Sequence, residues 1–274
     1  MEPKRKFKIV TAKNSRVILP NIFTLVGVCI GLSSIKFAFD GNFQFSVVAI
    51  IVAGIIDGLD GRIARLIKGT SKVGKELDSL TDVISFGVAP AFIMYFWKLN
   101  ELGRIGWFIC LIYVVAVALR LARFNVNSSE EPTWKGNFFE GIPSPAGGIL
   151  VLMPLFFSFS ELTLININYD LVVPIFFVTI SILLISKLPT YSFKKIIVPR
   201  SMSIFLIFGV VIYFVLLLLY TFNTIVISGL IYLLMIPISS VHFMKVRNKF
   251  TTQSGDIDDH EDICLLYTSD AADE

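Results

Sequence analysis

Four aspartates stand in stretches of sequence that are otherwise apolar: Asp57, Asp60, Asp78 and Asp82. An acid inside a membrane helix costs at least ~2.5 kcal/mol, so each of them needs a reason. The plain one is that all four sit at helix ends, in water. Their spacing argues for more. Asp57 and Asp60 are three residues apart and Asp78 and Asp82 four apart, which puts each pair on one face of a helix. Carboxylates brought together repel one another and become partly protonated unless cations balance them. Two divalent cations would do so, and hard carboxylate oxygens suit Mg²⁺ or Mn²⁺. Gly54, Gly58 and Gly61 strip side chains from the stretch that carries the first pair, and Gly74 does so in the connection to the second. Such positions let helices pack closely, and they also let a bulky nucleotide approach the backbone. Arg65 falls one turn after Gly61, on the Asp57 face, where it could pair with an acid or grip a phosphate. A simple charge at the membrane border is the competing reading of Arg65, and the preferred one for Lys68, Lys72 and Lys75.

The elements that must position these residues are membrane helices. Of 274 residues 55% are hydrophobic and only 16% charged, whereas a soluble domain carries about 25% charge. Runs such as Ser203–Tyr220 contain no charge at all, and about 20 such residues cross a bilayer as a helix. Eight spans are expected, at about Val17–Phe39, Phe43–Leu66, Leu77–Trp97, Ile105–Phe124, Pro145–Phe159, Leu171–Ser186, Ser203–Tyr220 and Thr224–Met244. The fifth and sixth are short. No small-residue cleavage site follows the first run, which is therefore read as a retained span and not a signal peptide. The short connection between the second and third spans makes them antiparallel neighbours, so that the four acids converge at similar depth.

Charge sorts by side. With eight spans, 21 of the 24 basic residues fall on the side of the N-terminus, two (Lys98, Arg104) on the other, and Lys36 lies within the first run. The positive-inside rule then places both termini, and the acids, at the cytoplasmic face of the cell membrane. Residues 1–16 read as a basic cytoplasmic segment, 17–200 as six spans with the acids at 57–82, and 201–250 as two additional spans. Residues 251–274 carry eight acids and no Lys or Arg and read as a disordered tail. Its last ten residues look like read-through beyond the natural chain, and the tail is assigned no function. Cys29, Cys110 and Cys264 make no CxxC or Cys/His spacing, which argues against zinc or a disulfide framework. His242 reads as an interfacial residue. No nucleic-acid partner is expected.

Read together, Asp57-x2-Asp60-Gly61-x2-Ala64-Arg65-x8-Gly74-x3-Asp78-x3-Asp82 resembles, without a departure, the signature of the CDP-alcohol phosphatidyltransferase family. Pro20-Asn21-x2-Thr24 resembles the start of that family's core. The resemblance implies an all-α integral membrane fold with six core helices, a homodimer, and an active site facing the cytoplasm. It makes residues 17–200 a six-helix catalytic core with its metal and CDP site at 57–82. It implies two divalent metals, Mg or Mn, on Asp57, Asp60, Asp78 and Asp82. Asn21, Thr24, Gly61, Ala64, Arg65 and Gly74 would shape the CDP site, and Asp82 would be the general base.

Three further segments lean toward serine as the acceptor alcohol. Arg120–Asn125, Phe139–Gly148 and Ser186–Ser192 resemble corresponding stretches of the phosphatidylserine synthase subgroup, as do two extra spans after the core. Arg120, Arg123, Asn125 and Ser144 are the candidates to hold the acceptor or the lipid phosphate. Arg120 and Arg123 also read as plain cytoplasmic-side charges, and Pro143 and Pro145 as residues that set the entry to the fifth span. The expected reaction moves a phosphatidyl group from CDP-diacylglycerol to L-serine, releasing CMP. Glycerol-3-phosphate or inositol are the alternative acceptors. A membrane prenyltransferase would also use Asp-rich helices, but without the Gly/Ala/Arg pattern that links these acids. A cation transporter would place its acids on paired broken helices near the midplane, not near helix ends.

Overall fold

The computed structural model describes residues 12–66, 72–127, 138–161, 168–186, 188–191 and 200–244. Most of the basic N-terminal segment, the connection with Lys68, the loop with Lys135, Lys187, Lys194, Lys195 and the acidic tail lie outside the described residues. Helix α1 (Ala12–Phe39) turns back into α2 (Phe43–Leu66) through a tight helix cap. Gly41 has φ 78°. Its N–H donates to Ala38 O at 3.0 Å, and Asn42 N–H donates to Phe37 O at 2.9 Å. This pattern calls for a left-handed residue at that point, which glycine adopts without steric cost.

The third span is one rod of three parts: α3 (Lys72–Asp82), a π-helical segment (Val83–Val88) and α4 (Ala89–Trp97). Pro90 has no N–H to give to the Phe86 carbonyl four residues back. The Tyr113 hydroxyl donates to that carbonyl instead, at 2.7 Å. Tyr113 and Phe86 are both fully buried, and Tyr113 meets Phe177 edge to face with centroids 4.9 Å apart. A π segment widens the helix locally and tends to occur at functional sites; here it begins at the residue after Asp82.

A 3-10 turn (Leu99–Leu102) and Gly103, at φ 57°, lead into α5 (Arg104–Asn127). The single fifth helix expected over Pro145–Phe159 is instead two, α6 (Ser144–Val151) and α7 (Met153–Phe159), broken at Leu152. Pro154 causes the break, because it offers no N–H to Leu150 and its ring clashes with that carbonyl. Helix α8 (Tyr169–Ile185) starts at Asn168, whose Oδ1 accepts from Asp170 N–H at 3.2 Å. Helices α9 (Arg200–Leu219) and α10 (Thr221–Met244) follow.

Among the described residues six helices are long and apolar enough to cross a membrane: Pro20–Phe39, Phe43–Ile63, Val73–Trp97, Arg104–Val126, Met202–Leu219 and Thr221–Met244. The chain is a multi-pass, all-α membrane protein. Among the described residues the one addition is a two-stranded clip, β1 (Phe138–Glu140) antiparallel to β2 (Pro189–Tyr191), with Phe139 opposite Thr190. Gly141, at φ 72°, closes the clip. Its N–H donates to Leu188 O at 2.9 Å, and its carbonyl accepts from the Thr190 hydroxyl at 2.8 Å. The clip ties the end of α8 to the start of α6.

Two glycines hold the π segment in place. A Cβ on Gly148 of α6 would lie 2.9 Å from Phe86 Cβ and 3.1 Å from its Cα, and one on Gly31 of α1 would lie 2.6 Å from Ser85 Oγ. Gly148→Ala should therefore push α6 off the π segment. Overpacking of this kind costs about 1–3 kcal/mol, read as a lower thermal midpoint in detergent. Gly58, whose added Cβ would meet no described atom within 4 Å, is the control. Gly58→Ala should leave the midpoint in place, and equal midpoints for both variants would refute the packing argument.

Candidate active site

The acids converge as their spacing requires. Asp57 and Asp60 lie near the end of the Phe43–Ile63 span and Asp78 near the start of the Val73–Trp97 span, so the cluster sits at one membrane boundary. One carboxylate oxygen from each of Asp57, Asp60 and Asp78 lies within 4.8 Å of the other two. Around an ion with metal–oxygen bonds of ~2.0–2.6 Å, two ligand oxygens stand at most about 5 Å apart. The trio therefore fits a single divalent cation. Asp60 is buried, Asp57 half-buried and Asp78 exposed, which grades the cluster from protein to solvent. Asp60 also shows an unmet need. The Thr24 hydroxyl donates to its Oδ2 at 2.8 Å, while its buried Oδ1 has no partner among the described residues. An acceptor in that position awaits a cation or a donor.

Asp82 adjoins the trio. It lies one turn deeper on the same rod, with its carboxyl within hydrogen-bonding reach of Asp57 and close to the Arg120 guanidinium. Its Oδ1 is likewise buried and unpartnered. Arg120, on α5, donates from one terminal nitrogen to Ser144 Oγ at 2.5 Å and lies over the Phe124 ring at 5.9 Å. Arg120 Nε has no partner among the described residues. Ser144, fully buried, is the first residue of α6, placed there by the clip and Pro143.

Not every sequence candidate lands in the same place. Arg123 donates to the Ile185 carbonyl at 2.8 Å, so it serves the end of α8, where a cation satisfies orphan carbonyls. Asn125 Nδ2 donates to Ser79 Oγ at 2.9 Å, which fixes α5 beside the residue that follows Asp78. Thr24, grouped with the nucleotide by the sequence, holds Asp60; Asn21 is half-buried one turn earlier on α1. An added Cβ on Gly54 would lie 3.5 Å from the Phe86 ring, but one on Gly58 or Gly61 would meet no described atom within 4 Å. These two glycines thus leave open backbone beside the acids, as a ligand would need, and close helix packing does not explain them. Gly74 lies on α3, and Ala64 and Arg65 on the last turn of α2.

Sequence reasoning missed one side chain here. Tyr232, on α10, stands beside Thr190 of the Ser186–Ser192 segment and near Arg120. It looked like an ordinary membrane residue. A tyrosine at helical spacing with small and apolar neighbours was the only available signal.

The helix pair with its signature, the converging carboxylates and the open glycine face define a class. A family model for CDP-alcohol phosphatidyltransferase matches residues 17–186, and the chain belongs to that family. Members of the family depend on divalent metal. Among curated relatives, a CDP-diacylglycerol–serine O-phosphatidyltransferase of Mycobacterium leprae is 43% identical over 137 residues, covering 49% of this chain and 45% of that one. One of the same name from Helicobacter pylori is 37% identical over 183 residues, covering 67% and 76%. An archaetidylserine synthase of Methanothermobacter thermautotrophicus is 30% identical over 179 residues, covering 64% and 70%. The chain spans about half the length of the mycobacterial relative it matches.

Proposed function

We propose that this protein transfers a phosphatidyl group from CDP-diacylglycerol to L-serine, giving phosphatidylserine and CMP. The observation that carries the reading is the juxtaposition of two sets of groups. The Asp57–Asp60–Asp78 trio, with its oxygens within 4.8 Å, suits a metal-bound pyrophosphate. Beside it, Asp82, Arg120 and Ser144 suit a small zwitterionic alcohol. The relatives' names support the acceptor. The bacterial and archaeal ones differ in the lipid they name and agree on serine.

In this reading Asp57, Asp60 and Asp78 would hold a divalent cation, Mg²⁺ or Mn²⁺, and the second cation that the family signature implies would share these acids, with Asp82 at the edge of the set. When bound, the cations supply Lewis-acid neutralisation of charge on the phosphoryl oxygens. Asn21, Thr24, Gly61, Ala64, Arg65 and Gly74 border the CDP moiety, while the acyl chains stay in lipid. Arg120 donates to the serine carboxylate, a planar acceptor that its guanidinium matches. The serine hydroxyl gives its proton to Asp82, and its oxygen bonds to the phosphatidyl phosphorus. The bond from that phosphorus to the CMP oxygen breaks, and CMP departs. The excess of basic residues on the acid-bearing side supports a site facing the cytoplasm, and the family resemblance adds a homodimer.

The test is CMP release by the full chain, with CDP-diacylglycerol and Mg²⁺ or Mn²⁺, against serine, glycerol-3-phosphate, inositol and choline. Serine should be the one acceptor turned over well. Preference for glycerol-3-phosphate would sink the serine assignment and leave the family untouched. Running the panel with an ether-linked CDP lipid as well separates the archaeal-type donor from the diacyl one.

A further inference from the structure

The chain continues past the residues that match the family model, 17–186, into α9 and α10. The two differ in what they bury. No residue in the α9 span is buried, as befits a helix surrounded by lipid. On α10, Ile225, Gly229, Tyr232, Ile236 and Ser239 recur at alternating steps of four and three residues, which is one helix face. Four of these are buried and Tyr232 is half-buried.

That face is docked on the catalytic body. An added Cβ on Gly229 would lie 2.7 Å from Met153 Sδ. Phe222 packs on Phe156 and Phe159 with centroids 6.3 and 5.3 Å away, and Asn223 Oδ1 accepts from Glu161 N–H at 3.1 Å. With its register so fixed, α10 carries Tyr232 inward, beside Thr190 of the clip and near Arg120. The Tyr232 hydroxyl oxygen is buried and stands within reach of Thr190 Oγ1, but no described residue meets it with a hydrogen bond of ordinary geometry. The neighbouring Thr190 spends its own proton on Gly141 O.

A buried polar atom without a partner calls for an explanation, and three such atoms belong to this corner: Tyr232 OH, Arg120 Nε and Asp82 Oδ1. Sorted by chemistry, the first two can donate and the third can accept. Two donors beside one acceptor are the complement of a molecule that carries a carboxylate and, a few bonds away, a hydroxyl. Of the other unpartnered atoms, Asp60 Oδ1 belongs to the metal cluster, Ser85 Oγ faces Gly31, and Ser239 lies about two turns beyond Tyr232.

We propose that Tyr232 binds the acceptor: its hydroxyl and Arg120 Nε donate to the carboxylate of the amino acid, whose hydroxyl is thereby turned toward Asp82 Oδ1. The assignment rests on the serine reading above. It gives the C-terminal helix pair a task, since a helix outside the family match supplies a group that selects the alcohol.

Tyr232→Phe removes one oxygen and keeps the ring, so α10 stays docked. In the full chain, with saturating CDP-diacylglycerol and Mg²⁺, the KM for L-serine should rise roughly tenfold or more, while kcat and the KM for CDP-diacylglycerol change by less than about twofold. Ser239→Ala, on the same face, should leave all three constants unchanged. A folded Tyr232→Phe enzyme with the wild-type serine KM would overturn the assignment. So would a parallel rise in both KM values, or loss of folded protein, because a structural role alone produces those. If the wild-type enzyme uses serine and only this variant is silent, Tyr232 alone is excluded. A wild-type enzyme that ignores serine defeats the serine reading, and the Tyr232 assignment goes with it.

Discussion

Asp60→Asn should reduce CMP release by on the order of 10³-fold or more without unfolding the protein, and Asp57→Asn and Asp78→Asn should behave alike. Asp60 makes the sharpest case, because its two oxygens are already separated in role. Oδ2 accepts from Thr24 at 2.8 Å, and an asparagine oxygen can keep that bond. The amide nitrogen must then replace Oδ1, the buried oxygen with no partner. A donor would point where a cation needs an acceptor, and one of the charges that hold the cation would be gone. Thr24→Val removes the hydroxyl that orients Asp60 and leaves all three carboxylates in place, so its loss should be smaller, about 10–100-fold, as for other residues that support a metal ligand. Chelation with EDTA should stop the wild-type reaction, and Mg²⁺ or Mn²⁺ should restore it. The measurement is CMP release as a function of metal concentration, with a thermal melt in detergent to show that each variant is folded. Full activity in a folded Asp60→Asn enzyme would take Asp60 out of the metal set.

The parts of this site that were legible in the sequence are those set by spacing along one or two adjacent helices. Asp57 and Asp60 at three residues, Asp78 and Asp82 at four, and few residues between their helices leave little freedom, and the carboxylates meet. The glycines were legible only in part. Gly54, Gly58 and Gly61 share one helix at similar spacing, yet Gly54 packs on Phe86 while the other two face open space, and only the path of the third span distinguishes them. The π segment was hidden because it depends on a long-range bond. Pro90 frees the Phe86 carbonyl, but Tyr113 must arrive from α5 to take it. Arg120 and Arg123 could not be separated by composition. They are three residues apart, and the end of α8 captures one while Ser144 captures the other. The break at Leu152 was within reach, since Pro154 inside an apolar run forbids a continuous ladder. Tyr232 was not, because nothing local says that α10 docks by that face while α9 docks by none.

Asp82→Asn should lower kcat by roughly 10²–10⁴-fold, the range for losing a positioned general base, and high metal should not rescue it. The structure distinguishes Asp82 from the other acids in two ways. It lies outside the trio whose oxygens fall within 4.8 Å, and it is the acid that adjoins Arg120. In the proposed reaction a group there would stand between the phosphoryl donor and the acceptor's hydroxyl, where proton transfer has to occur. Asparagine keeps the shape and can still hydrogen-bond Asp57, so the corner should hold together, but its amide takes up no proton at the pH of the reaction. The KM for CDP-diacylglycerol should then stay near the wild-type value, because the trio and the glycine face are intact. Arg120→Ala makes the complementary prediction. Removing the carboxylate's cation should raise the KM for serine by about 10–100-fold, the equivalent of a charge-assisted hydrogen bond, while the CDP-lipid KM again holds. The two variants therefore fail differently, one in kcat and the other in serine KM. If excess Mg²⁺ or Mn²⁺ instead restores Asp82→Asn to near wild-type turnover, Asp82 is a metal ligand and the proton must leave the serine hydroxyl by another route.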